Sequence, residues 1–176
     1  MQVLPCALFL ASATTTLALV PCEAQDAESY EAATADSTGL LSIRVSAQHT
    51  IVPPRDSGQV GIDQVAISPD RHAVGWLVLY LNCCTSYPIP LTLKVYARGT
   101  LRSFTGIDLP VWRWRFEGGG KQVAFYQETV HGGIGAHYEL RDVRSGRLVG
   151  QYQPSDSTPA PPWVARLTAV PADSSH

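Results

Sequence analysis

An internal repeat is the feature of this sequence that most constrains its fold. Residues 64–76 and 113–125 align at an offset of 49 residues, with apolar positions opposite apolar positions. The alignment continues between residues 94–104 and 141–152 at an offset of 47, and a third start follows at residues 161–167. A repeat of this length that contains several short strands indicates one β-sheet unit per copy, with each unit stacked on its neighbour.

The apolar pattern inside the copies predicts strands. Residues 73–81 are apolar at every position, which indicates a strand covered on both faces, and residues 122–128 are its expected counterpart. In residues 111–116 tryptophan and phenylalanine alternate with arginine, so Trp112, Trp114 and Phe116 are expected on one buried face. Because no amphipathic helix of useful length is present, we predict an all-β domain of two stacked four-stranded antiparallel sheets.

Turn motifs in the two copies carry a resemblance to a known family. The stretch AISPDRHAVGW (66–76) resembles the SPDG-plus-strand signature of WD-repeat and TolB-type β-propellers, with Arg71 where glycine is usual. The stretch ELRDVRSGRLV (139–149) resembles the D-x-x-[ST]-G-x-L ending of a WD-type blade, with Asp142 and Gly146 in the expected places. The resemblance covers roughly residues 60–167 and implies propeller-blade units, in which Asp142 caps a tight turn through backbone hydrogen bonds.

Two copies and one partial copy are not enough blades to close a ring, because propellers close with about 4–8 blades. Three alternatives remain open. The two sheets pack on each other as a sandwich, or chains form a homo-oligomer that completes a ring, or the chain is a fragment of a longer propeller.

The N-terminus predicts export. Residues 3–20 are apolar and are followed by a small-x-small pattern that ends at Ala24, which is typical of a signal peptide. We therefore expect a secreted or periplasmic protein that contacts a membrane only if this leader stays uncleaved. The predicted organisation is a signal peptide (1–24), a flexible segment (25–39), the all-β repeat domain (40–170, with copies at about 60–109 and 110–158) and a tail (171–176).

Charge and motifs disfavour several functions. The net charge of −2 gives no reason to expect nucleic acid as a partner. The sequence contains no G-x-S-x-G, H-E-x-x-H or P-loop motif, and these absences favour a non-enzymatic protein without a cofactor. His131 and His137 flank a glycine-rich loop, but a metal site needs three or four ligands, so a solvated hairpin is preferred to a metal site.

Two longer connections are the candidate binding loops. Residues 82–90 and 130–136 occupy equivalent places in the two copies, so repeat symmetry is expected to bring them to the same edge. Loops on one face of a repeat protein often bind the ligand. The candidate ligand-binding residues are Asn82, Cys83, Cys84, Tyr87, His131 and His137.

Cys83 and Cys84 are the only cysteines after the predicted leader. Neighbouring Cα atoms are about 3.8 Å apart, which is short of the usual 4.4–6.8 Å for a disulfide. A strained vicinal bond, two free thiols beneath the loop and a bridge to another chain are the alternatives. Free thiols are slightly favoured, and no nearby basic residue activates them for catalysis.

These observations lead to one functional hypothesis and one alternative. The first is an exported non-enzymatic β-repeat module for binding or assembly, whose partner is an unknown protein or small ligand. The alternative is a propeller fragment that is accessory to a secreted hydrolase or peptidase.

Overall fold

The computed structural model describes residues 28–131, 135–154 and 158–168. The signal peptide and the tail predicted from the sequence lie outside these ranges. The strands and the helix are β1 (Ala32–Ala35), β2 (Leu41–Ser46), β3 (His49–Ile51), β4 (Gln59–Ile67), β5 (Ala73–Tyr80), β6 (Ile89–Ala97), β7 (Thr100–Phe104), β8 (Val111–Glu117), β9 (Gln122–Gln127), β10 (His137–Asp142), β11 (Leu148–Tyr152) and α1 (Pro162–Thr168).

Each copy of the repeat forms one four-stranded antiparallel sheet. The first-repeat sheet has the order β4-β5-β6-β7, and the second-repeat sheet has the order β8-β9-β10-β11 when read from its other edge. Consecutive strands are therefore neighbours in both sheets, as in the meander of a propeller blade. The prediction of two stacked four-stranded antiparallel sheets is confirmed.

Strand β5 is buried on both faces, as its apolar run predicts. Ala73 and Leu77 pack in the core that the two repeat sheets share, whereas Trp76, only 2% exposed, packs on the opposite side. In β9 the residue equivalent to Trp76 is Phe125, which faces the first-repeat sheet. Trp76 and Phe125 therefore point in the same direction along the stack, away from α1. The two sheets are stacked in the same orientation, as successive propeller blades are.

A three-stranded sheet of order β1-β2-β3, here called the N-terminal sheet, covers the outer face of the first-repeat sheet. It begins inside residues 25–39, whose composition predicted flexibility. The structure differs because Tyr30 is fully buried and its ring lies 5.9 Å from that of Tyr96. The carboxylate of Asp36 also fixes the β1–β2 turn by accepting hydrogen bonds from the Thr38 amide (2.8 Å) and hydroxyl (2.7 Å).

Helix α1 covers the outer face of the second-repeat sheet, where the sequence predicted the start of a third copy. That prediction is wrong, because residues 162–168 form a helix. The sequence had also predicted no amphipathic helix of useful length. Pro162 suits the first position of a helix, and Val164 and Leu167 stand three residues apart on the buried helix face. Glu117 at the end of β8 accepts hydrogen bonds from Arg166 at 2.6–3.2 Å, which fastens the helix to the sheet.

The two repeat sheets interlock at Gly75 and Trp114. A Cβ atom on Gly75 would lie 2.3 Å from Cη2 of Trp114, so only glycine admits the indole across β5. The indole Nε1 donates to the backbone oxygen of Gln64 in β4 at 3.1 Å. This single ring therefore joins β8 to both β4 and β5.

Trp112 does not share this face, contrary to the alternation expected for residues 111–116. The pairing of β8 with β9 shifts between Val111 and Arg113, and such a bulge redirects side chains. Trp112 is half-buried, and its Nε1 donates to the backbone oxygen of Glu128 at 3.0 Å.

An ion pair between a buried lysine and a partly exposed aspartate lies on the side of the first-repeat sheet that faces the N-terminal sheet. Lys94, with its side chain 4% exposed, pairs with Asp56, which also accepts a hydrogen bond from the Tyr80 hydroxyl at 2.7 Å. Burial opposes the charged form of Asp56, but the hydrogen bonds from Lys94 and Tyr80 outweigh it and hold the pKa of the carboxyl below its usual value. Burial and the bond to Asp56 raise the pKa of Tyr80 to about 12.

We expect Gly75→Ala to lower the free energy of unfolding by about 1–3 kcal/mol, the usual cost of overpacking a core. Gly61→Ala is the matched control, because the nearest atom to a Cβ there is Cδ1 of Leu79, at an ordinary contact distance of 3.4 Å. Urea titration of both variants measures the difference. Equal losses would show that the sheets do not interlock at Gly75.

We expect Asp56→Asn to cost about 2–4 kcal/mol near pH 7, because it leaves the buried ammonium of Lys94 unpaired while Asp56 itself is partly exposed. Because the folded pKa of Asp56 lies below its unfolded value of about 3.9, its contribution is complete above that value. The contribution is lost as the pH falls through the folded pKa.

Urea titrations between pH 7 and pH 2 test this, with exposed Asp63→Asn as the control. The difference between wild type and Asp56→Asn should shrink below about pH 4. A difference that stays constant down to pH 2 would contradict the charge pairing.

Candidate functional site

The antiparallel order separates two ends of the stacked sheets. The turns β4–β5, β6–β7, β8–β9 and β10–β11 lie at one end, here called the turn end. The connections β5–β6 and β9–β10 lie at the other, here called the loop end. Residues 82–87 and His131 therefore lie at the same end, as repeat symmetry led us to expect.

At the loop end Asn82 organises the β5–β6 connection. Its side-chain oxygen accepts from the amide of Cys84 at 2.7 Å, and its side-chain amide donates to the hydroxyl of Thr85. Cys83 and Cys84 are both free and exposed, rather than tucked beneath the loop. Tyr87 is 51% exposed, so Cys83, Cys84 and Tyr87 face solvent, whereas Asn82 is half-buried.

The two predicted histidines differ in burial and in their contacts. His131 is exposed, whereas His137 is 4% exposed and lies 3.1 Å from the carboxylate of Glu139, which Arg141 also contacts at 2.7 Å. Nε2 of Gln153 lies 3.3 Å from the other ring nitrogen of His137. The imidazole is therefore part of a polar network with Glu139, Arg141 and Gln153. Residues 132–134 of the loop lie outside the described ranges.

The turn end holds a cleft of about 500 Å³ between the two repeat sheets. Its floor is apolar and consists of Ala73, Ala97 and Val143. The volume is within the usual range for small-molecule sites. One wall forms where two turns touch, because Gly120 approaches Asp70 so closely that a Cβ would stand 2.5 Å from its Oδ1.

Four cations line this cleft: Arg98, Arg102, Lys121 and Arg144. None of them pairs with a carboxylate among the residues that the structure describes. Arg102 of the first-repeat sheet donates to the backbone oxygen of Arg144 in the second, so it also bridges the sheets. Arg98, Lys121 and Arg144 are exposed and line the cleft.

The two carboxylates of the cleft, Asp70 and Asp142, accept hydrogen bonds from residues of their own turns. Burial opposes the charge of Asp70, but hydrogen bonds from the Ser68 hydroxyl (2.6 Å) and the His72 amide (3.2 Å) outweigh it and lower its pKa. Asp142 accepts from the hydroxyl and amide of Ser145 at 2.6 and 2.7 Å, and these bonds lower its pKa. Asp142 therefore caps its turn, as its resemblance to a blade ending implied.

Arg98 occupies a strained position. Its φ is 50°, and Gly99 follows at 77°, which is the pair of positive values found in a two-residue hairpin turn where Asn-Gly is preferred. Arg71, in the place where glycine is usual, also has a positive φ, of 61°. A non-glycine residue in this region costs about 1–2 kcal/mol, and such strain clusters at functional sites.

The candidate site predicted from the sequence lies at the loop end, whereas the cations, which were not predicted as a site, lie at the turn end. A signal was present, because Arg98 and Arg144 stand in matching turns of the two copies and Lys121 stands in the glycine turn that matches 68–71. What the sequence did not reveal is the distance between these turns across the stack.

No protein-family model and no curated protein matches this chain. Among residues 28–131, 135–154 and 158–168, no helix is long and apolar enough to cross a bilayer. Within the same ranges no three His, Cys, Asp or Glu side chains are grouped closely enough to hold a metal ion.

We expect Arg98→Asn to raise the free energy of unfolding by about 1 kcal/mol, because asparagine tolerates the positive φ that arginine resists. Thermal and urea unfolding measure the gain. Arg102→Asn, in the adjoining strand β7, is the control and should not stabilise. A loss of stability in Arg98→Asn would mean that the arginine side chain contributes more than its backbone costs.

Proposed function

We propose that this chain is a non-enzymatic binding module of the propeller-blade type and that the turn-end cleft binds a small organic anion. The observation that carries the proposal is the set of four cations around a cleft of about 500 Å³, none of which forms an ion pair with a carboxylate in the part of the chain that the structure describes. The two aspartates of the cleft offset only part of this charge, and both are already engaged by their own turns.

The chemistry of the cations indicates the ligand's head group. A guanidinium offers a planar fork of donors that matches a carboxylate or a phosphate. Arg98 and Arg144 come from different sheets, so an anion between them would be held from two sides. Because the four cations outnumber the two aspartates, the cleft has a net positive charge, which concentrates anionic ligands.

The apolar floor indicates the ligand's body. Ala73, Ala97 and Val143 line the cleft. Burying apolar area stabilises a complex by about 25 cal/mol per Å², so an organic anion should bind better than an inorganic one.

The proposal also includes export of the protein and a relationship to β-propellers. The apolar leader supports a secreted or periplasmic location, and the resemblance to WD-repeat and TolB-type blades supports the propeller-blade type of fold. A homo-oligomer and an accessory role beside a secreted hydrolase or peptidase are further parts of the proposal. Anion binding in the cleft does not depend on either of them.

Titration with phenyl phosphate, inorganic phosphate and phenol, followed by amide NMR shifts, tests the proposal. Phenyl phosphate should bind with a Kd of about 0.1–1 mM, in line with the usual affinity per atom of a small ligand. Inorganic phosphate should bind more weakly because it lacks the apolar body, and phenol should not bind. The largest shifts should fall on residues 70–73, 97–102, 120–121 and 142–144.

Arg144→Gln should weaken phenyl phosphate binding at least about fivefold, because it removes a charged donor. Arg147→Gln, in the same turn but outside the cleft, is the matched control and should bind as wild type does. Equal effects of the two substitutions, or shifts confined to the loop end, would refute the proposal.

A further inference from the structure

The two sulfur atoms at the loop end stand together in solvent. Sγ of Cys83 and Sγ of Cys84 are 2.8 Å apart, and both residues are exposed. They lie at the end of the sheets opposite the cationic cleft, so what they bind is independent of the function proposed above.

The loop holds the two thiols in this arrangement. The side chain of Asn82 accepts from the Cys84 amide at 2.7 Å and donates to Thr85, whose hydroxyl in turn donates to the backbone oxygen of Tyr87. These bonds fix the turn on both sides of the cysteine pair. The entropy of bringing the sulfurs together is therefore already lost before any ligand arrives.

A direct bond between the sulfurs is disfavoured by the chain. Adjacent Cα atoms are about 3.8 Å apart, short of the range in which disulfides form without strain. A bridge through a third atom enlarges the ring and does not require the sulfurs to approach to about 2.05 Å. The geometry therefore favours chelation of a single atom over oxidation.

We infer that Cys83 and Cys84 form a chelating dithiol site for a thiophilic trivalent centre, specifically a monosubstituted arsenic(III) compound. This class fits because the arsenic atom forms two new bonds to sulfur and keeps its organic substituent, so no third protein ligand is required. Soft thiolate ligands select soft centres of this kind.

The binding step is balanced without a redox partner. An arsenic(III) oxide, R–As=O, condenses with the two thiols, so that two As–S bonds form and the arsenic–oxygen bond breaks. The two S–H protons leave with the oxygen as one water molecule. Arsenic stays trivalent, and neither sulfur is oxidised.

Phenylarsine oxide is the probe, added to the reduced full-length chain and followed by intact mass under native conditions. The full-length chain also contains Cys6 and Cys22, so the double variant Cys83→Ser/Cys84→Ser is the reference for their contribution. Wild type should take up one more phenylarsenic group than this variant, with loss of one water. The added group should survive excess monothiol and be removed by a dithiol.

Single variants separate chelation from ordinary thiol binding. Because the second sulfur acts at a high effective concentration, Cys83→Ser and Cys84→Ser should each weaken uptake by about 10²–10⁴-fold. Asn82→Ala should weaken it less, because both sulfurs remain but the turn is looser. Uptake equal to that of the double variant, or single variants that bind as tightly as wild type, would overturn the inference.

Discussion

The indole of Trp114 lies directly on the backbone of Gly75, and the stacking of the two repeat sheets depends on that contact. A side chain at position 75 would hold the sheets apart, because strands packed face to face leave no space for both a Cβ and an indole. The hydrogen bond from the same indole to Gln64 ties β4 into the contact. The shared core, with Leu77 and Phe125 inside it, can then close around this point.

Each repeat sheet has one apolar face in the shared core and a second apolar face on its outer side, so the stack needs a cover at each end. A sheet that is apolar on both faces must bury both of them. The N-terminal sheet covers the first-repeat sheet through Tyr30 and Ile43, and α1 covers the second through Val164 and Leu167. Neither cover is a four-stranded sheet like those of the repeat, because each needs only one apolar face.

This difference explains what sequence reasoning could and could not predict. The run 73–81 and the turns around Gly99 and Gly146 carry their own signals, a continuous apolar stretch and glycines at positive φ, so the two repeat sheets were predictable. Helix α1 carries only the three-residue spacing of Val164 and Leu167, which is too short a pattern to distinguish a helix from a strand.

Tertiary contacts decided the remaining local structure. Tyr30 is buried within an acidic, small-residue segment because the first-repeat sheet offers it a partner in Tyr96. Trp112 leaves the aromatic face because a bulge interrupts the pairing of β8. The cationic cleft was hidden for the same reason, since Arg98 and Arg144 are more than 40 residues apart in the sequence and meet only when the sheets stack.

The placement of charge at the turn end follows from how short turns present side chains. A two-residue turn leaves its side chains at the very edge of the sheet, and stacking brings the edges of both sheets together. Arginine at position 98 has a positive φ that asparagine or glycine would adopt more easily. A residue that is unfavourable for its own turn is best explained by an interaction outside that turn. The cleft beside it, which faces Arg144 of the other sheet, is where that interaction would occur.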